Sequence, residues 1–82
     1  MYRIVFTKRA LKDLEKISQN EKIQIAKKLK EFSTEPFNYS RKLINPKIGS
    51  YRFRVDNYRI IFDIEENDIA ILRIGLRKDI YK

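Results

Sequence analysis

Arginine is concentrated where lysine is absent. Residues 50–77 carry Arg52, Arg54, Arg59, Arg73 and Arg77 and no lysine, whereas residues 10–30 carry six lysines and no arginine. Lysine is a hydrated point charge suited to a solvated helix face, while arginine presents a planar fork that grips a phosphate or carboxylate in two places. The arginine segment is therefore the candidate site, and its chemistry is recognition of an anion or neutralisation of charge developing on a phosphate. The chain has no histidine and no cysteine. That removes the commonest general base and metal ligand, a thiolate metal site, a cysteine nucleophile and any disulfide. Acid–base chemistry falls to Lys, Arg, Tyr, Asp or Glu, with no metal and no cofactor expected.

The elements that must position these arginines belong to one small domain, residues 1–82, since a second core cannot be assembled from so few side chains. Hydrophobic residues make up 43% of the chain, ten of them aromatic, enough for a compact core of marginal stability. The net charge is +8. Residues 1–40 hold nine basic and five acidic groups, 41–59 hold six and one, and 60–82 hold four and five, so the excess is densest in the middle. A polyanion is the partner that such a charge attracts most strongly. No stretch approaches the roughly 20 apolar residues of a membrane span, and a soluble, cytoplasmic protein is expected.

Tyr2, Ile4 and Phe6 alternate with Arg3 and Val5 as a strand does, and Thr7 suits the N-cap of a helix. Ala10, Leu11, Leu14 and Ile17 form its apolar stripe, with Lys12, Asp13, Glu15 and Lys16 expected to face water. Ser18 and Glu21 have capping-box spacing and open a second helix, whose stripe is read as Ile23, Ala26, Leu29 and Phe32 and whose end is bounded by Pro36. Residues 33–50 show no clear periodicity, which in a compact domain points to a functional or mobile connection. Two strands follow, Tyr51–Val55 and Tyr58–Ile64, joined by Asp56-Asn57, a pair that tolerates left-handed backbone. That turn pairs Val55 with Tyr58, Phe53 with Ile60 and Tyr51 with Phe62 on one apolar face, and sets Arg54 opposite Arg59 on the other. A last strand, residues 69–75, follows a turn near Glu66-Asn67-Asp68. A three-residue loop is expected there, because a two-residue loop would aim Arg73 into the core. Ala70, Leu72 and Ile74 would then join the helix-covered face. If the strand runs on to residue 77, all five arginines share the outer surface. The predicted fold is α+β, ordered β-α-α-β-β-β, with a two-helix hairpin packed on a four-stranded, mainly antiparallel sheet.

Like charges directly opposite each other in a sheet are destabilising, so Arg54 facing Arg59 asks for a reason. A polar outer face neutralised by Asp63 and Glu65 would explain one arginine more readily than five. Arg41, Lys42 and Lys47 in the preceding connection, together with Arg73, are candidates for gripping RNA. Tyr39 and Tyr81 are the candidates for stacking on a base.

The segments Ile4–Leu14, Tyr51–Val55, Asn57–Phe62 and Ile74–Tyr81, in this order and spacing, resemble RelE-type toxins of the RelE/ParE superfamily, and the resemblance covers nearly the whole chain. It implies a toxin that acts on translation and is neutralised, in a heteromeric complex, by a cognate antitoxin. Its further implications are ribosomal partners, mRNA as substrate, and metal-free cleavage by attack of a ribose 2′-hydroxyl on the adjacent phosphate. The positions that match the family's active site are Arg52, Arg54, Arg59, Arg77 and Tyr81. Relatives often carry a lysine in the second strand and a histidine or lysine before the carboxyl-terminal arginine, where this chain has arginines and Leu76. The alternatives within the same fold are a ParE-like inhibitor of DNA gyrase and a catalytically degenerate protein that binds RNA or antitoxin.

Overall fold

The computed structural model describes residues 2–43 and 49–80. Its elements run β1 (Arg3–Phe6), α1 (Lys8–Glu15), α2 (Gln19–Phe32), α3 (Pro36–Tyr39), β2 (Ser40–Lys42), β3 (Tyr51–Val55), β4 (Tyr58–Glu65), β5 (Asp68–Leu76) and α4 (Arg77–Ile80). The α+β class and the helical hairpin stand as expected. The sheet, however, has five strands, ordered β1-β5-β4-β3-β2. The additional strand and the turn α3 lie in the stretch without periodicity, where three or four residues are too few to display one. Only β1 and β5 pair in parallel; the other neighbours are antiparallel.

Both helix starts follow their caps. The Thr7 side chain accepts the Ala10 amide at 3.2 Å and donates to the Ile71 carbonyl at 2.9 Å, tying α1 to the sheet. Ser18 accepts the Glu21 amide at 3.3 Å as its N-cap, and the same hydroxyl donates to Glu21 Oε1 at 2.8 Å. The helices then cover one face of the sheet, where Phe53 stacks on Phe62 at 4.1 Å and Phe32 packs on Phe53 at 4.7 Å. Ile60, Ile69 and Ile71 complete this layer without exposure. In α2 the buried stripe is Ile25, Leu29 and Phe32; Ile23 and Ala26, expected inside, are exposed. Both sets have helical spacing and share Leu29 and Phe32, and the packing of α2 on the sheet turns Ile25 inward in place of Ile23 and Ala26. Leu11 is likewise half exposed.

The β3–β4 register is the expected one, including Arg54 opposite Arg59, and Asp56 adopts φ 53° at the turn. The β4–β5 connection differs. Glu65 pairs with Asp68, so the turn has two residues, Glu66 and Asn67. Ile69 and Ile71, not Ala70 and Leu72, therefore enter the core. A β-bulge corrects the parity further on: Phe62 pairs with Ile71 and Ile61 with Arg73, leaving Leu72 as the extra residue. The bulge returns Ile74 to the core and keeps Arg73 out of it. The sequence rule against a buried unpaired arginine is thus obeyed by a different device.

Candidate functional site

The strand register assembles arginines on the sheet face away from the helices. Arg41 in β2 pairs with Arg52 in β3, and Arg52 with Ile61 in β4. Two residues along, Arg54 pairs with Arg59, and Arg59 with Gly75 in β5. Neighbouring strands lie about 4.8 Å apart, so Arg41, Arg52, Arg54 and Arg59 occupy one patch. Arg41 and Arg54 are exposed, Arg52 is half-buried and Arg59 is 8% exposed. The ion pairs among the described residues are Arg3–Asp68, Arg9–Asp13, Lys28–Glu31 and Arg73–Asp13, so no carboxylate neutralises Arg41, Arg52 or Arg54. Asp63, which shares the face, accepts instead the Ser50 amide at 2.7 Å.

The five arginines expected to share a surface do not. Ile61, in the same row as Arg52 and Arg73, is fully buried on this face. Gly49 lies directly over it: at φ 154°, it sits where a Cβ would collide with Ile61 Cγ2 and stand 2.9 Å from Leu72 Cδ1, so only glycine fits. This apolar plug separates Arg73 from the patch. Arg73 turns instead to α1, where its Nε donates to Asp13 Oδ2 at 2.9 Å. Arg77 is exposed on α4 and outside the sheet, because β5 ends at Leu76. The turn of α4 folds Ile80 over Gly75, with a Cβ at Gly75 placed 3.4 Å from Ile80 Cγ1, next to Arg59 on β4. Arg59 is therefore enclosed, contrary to its expected exposure.

The remaining candidates divide. Lys42 pairs with Tyr51, and so lies on the opposite face from Arg41 by strand parity. Tyr39 stacks on Phe32 at 4.9 Å while remaining 44% exposed. Phe37, which the sequence reading passed over, is also exposed and meets Tyr51 edge-on at 5.3 Å. Lys47 and Tyr81 lie outside the described residues.

Asp13 is a further residue that sequence reasoning placed wrongly. Expected in water, it is buried, and its Oδ2 also accepts the Ile74 amide at 2.9 Å. Beyond Ile71 the edge of β5 has lost its β1 partner, and the Asp13 carboxylate takes over as acceptor. A signal was present: Ala10, Asp13 and Ile17 have the three- and four-residue spacing of a buried stripe. Elsewhere, Glu21 is held below the usual carboxylate range by hydrogen bonds from Tyr58 and Ser18, and the same bond raises Tyr58.

No helix among the described residues is long and apolar enough to cross a membrane. Residues 4–81 match the sequence model of a family described as the ParE toxin of type II toxin–antitoxin systems, parDE. No curated protein sequence matches the chain. Among solved structures, the chain is similar to the toxin–antitoxin complex RelBE2 from Mycobacterium tuberculosis, at 25% identity and TM-score 0.83, covering 93% of this chain and 98% of that one. The intact Escherichia coli RelBE toxin–antitoxin complex gives 25% identity and TM-score 0.74, covering 93% and 96%. The RelB–RelE antitoxin–toxin complex from Methanococcus jannaschii gives 27% identity and TM-score 0.74, covering 94% of each chain.

Proposed function

Because the chain belongs to the ParE toxin family of type II toxin–antitoxin systems, we propose that it is the toxin of such a pair and acts as a metal-independent ribonuclease on mRNA held by the ribosome. The observation that carries this reading is the group of three arginines, Arg41, Arg52 and Arg54, which share one sheet face without a carboxylate partner among the described residues and are backed by the enclosed Arg59. A patch of this kind fits a phosphate whose charge grows during reaction. The ribose 2′-hydroxyl would attack the adjacent phosphorus and the bond to the 5′-oxygen would break, giving a 2′,3′-cyclic phosphate and a 5′-hydroxyl that takes up the proton released by the 2′-hydroxyl or one from water, while the arginine forks would stabilise the phosphorane between these events. Arg77 on α4 would close the site from the side of β5. Arginine hardly deprotonates, so the proton of the 2′-hydroxyl is assigned to Tyr81 or to the ribosome, which also holds the message in line.

The similarity to solved toxin–antitoxin complexes supports a cognate antitoxin as partner, and the cytoplasmic site of action is part of the ribosomal reading itself. The test is induced expression followed by mapping of mRNA 5′ ends with and without active translation. Cuts that appear only on translated messages are expected, and intact messages during growth arrest would overturn the reading. A second reading, inhibition of DNA gyrase, is favoured by the family match itself. It requires purified protein to block supercoiling by gyrase, which a ribonuclease of this kind does not do.

A further inference from the structure

A cleft of about 480 Å³ opens between α1 and the far end of β5, lined by Arg9, Lys16, Tyr58, Arg73, Leu76 and Asp79 among others. It lies at the edge of β5 beyond the bulge, separated from the arginine patch by the Ile61 and Gly49 plug. One buried carboxylate organises its cationic end: Asp13 takes Arg73 Nε on Oδ2 at 2.9 Å and lies 3.8 Å from Arg9 Nε through Oδ1. Holding two guanidiniums beside one carboxylate leaves an excess of positive charge. Because each is engaged through Nε, the terminal NH₂ groups remain available to another acceptor. Lys16, exposed at the end of α1, adds a third cation. Three cations against the two carboxylates of Asp13 and Asp79 leave the cleft net positive, and Ile17, Tyr58, Ile74, Gly75 and Leu76 complete its lining.

We propose that this cleft is a second nucleotide-binding site, in which Arg9, Arg73 and Lys16 hold a phosphate of single-stranded RNA and the Tyr58–Leu76 wall packs against its base. The phosphate chemistry follows from the cleft alone, whereas the identity of the strand as RNA flanking the cleaved bond rests on the ribonuclease reading. The test is titration of the ¹⁵N-labelled protein with uridine 5′-monophosphate, with inorganic phosphate and with an acidic peptide in parallel. Amide shifts centred on Ile74 and Gly75 are expected for the nucleotide, with tighter binding than phosphate alone. Arg9 is 61% exposed, so Arg9→Ala keeps the fold and is expected to weaken the nucleotide at least tenfold, as is Lys16→Ala. Arg54→Ala leaves binding at the cleft unchanged. Shifts confined to β3, nucleotide binding indifferent to Arg9→Ala, equal affinity for phosphate alone, or binding of the peptide but not the nucleotide would each overturn the proposal. Cleft binding with no mRNA cleavage in cells would instead sink the ribonuclease reading and leave the phosphate site standing.

Discussion

Arg54 and Arg59 face each other across one strand pair yet have different physical roles. Arg54 is exposed, so Arg54→Ala is expected to abolish growth arrest while its melting temperature stays within a degree or two of the parent. Arg59 is enclosed beside Ile80, and Arg59→Ala opens a gap there. A loss of about 1–2 kcal/mol is expected from the vacated packing and hydrogen bonds, and each kcal/mol is worth about 4–8 °C in a domain of this size. Thermal melts of the two variants check this; equal melting temperatures would show that Arg59 is not structurally enclosed. Asp13 carries more. Asp13→Ala leaves the Arg73 guanidinium and the Ile74 amide without their acceptor. Breaking a buried pair costs roughly 3–5 kcal/mol, and the residual exposure of Arg73 places this one near the lower end, about 3 kcal/mol. Urea denaturation measures it.

Among the elements, β5 does the most to place the site, and its bulge is decisive. Deleting Leu72 joins Ile71 directly to Arg73 and restores one-to-one pairing with β4, leaving Ile71 and Ile74 on the helix-covered face and Arg73 and Gly75 on the other. A cooperative thermal transition is therefore expected for that deletion. Loss of the transition would show that the local geometry of the bulge, and not only the parity it sets, is needed for the fold. The turn before it also holds strain, since Glu66 sits at φ 55°. Glu66→Gly relieves the left-handed penalty but gains chain entropy in the unfolded state, so a net stabilisation of about 0.5 kcal/mol is expected, read as a small rise in melting temperature.

For the whole molecule, charge governs both stability and association. The carboxyls of Glu21 and Asp68 are depressed, the first by hydrogen bonds from Tyr58 and Ser18, the second by the hydrogen bond and charge of Arg3. A depressed carboxyl stabilises the fold fully above its unfolded pKa and loses that contribution as pH falls through its folded value. Stability is therefore expected to decline from about pH 4.5 downward, the unfolded range of these groups. Glu21→Gln keeps a side chain able to cap but removes one titration, so its melting temperature should change less between pH 5 and pH 3 than that of the parent. Tyr58 works in the other direction: its raised pKa makes its contribution present below about pH 10 and lost above. At neutral pH the net charge of +8 should draw an acidic antitoxin segment, with association slowing steeply as salt rises. Stopped-flow rates that stay flat from low to high salt would show that this charge is not used for recruitment.

The sequence alone determined what depends on neighbours along the chain. Caps at Thr7 and Ser18, the Asp56-Asn57 turn and the register it imposes on Arg54 and Arg59 are all local, each fixed by side chains within a few residues. Composition also fixed the character of the site, because arginine without histidine or cysteine leaves few chemistries open. Tertiary structure decided what local rules leave degenerate. Two stripes of α2 had equal helical spacing, and packing against the sheet buried Ile25 and left Ile23 and Ala26 exposed. A two-residue turn with a bulge satisfied the same constraint on Arg73 as the longer loop expected, and the difference is settled by packing of Ile69 and Ile71. The division of the arginines lay beyond any periodicity, since it depends on Gly49 covering Ile61, α4 enclosing Arg59 and Asp13 claiming Arg73 from a different element. Each of those contacts joins residues distant in sequence or packed across elements, where spacing carries no information.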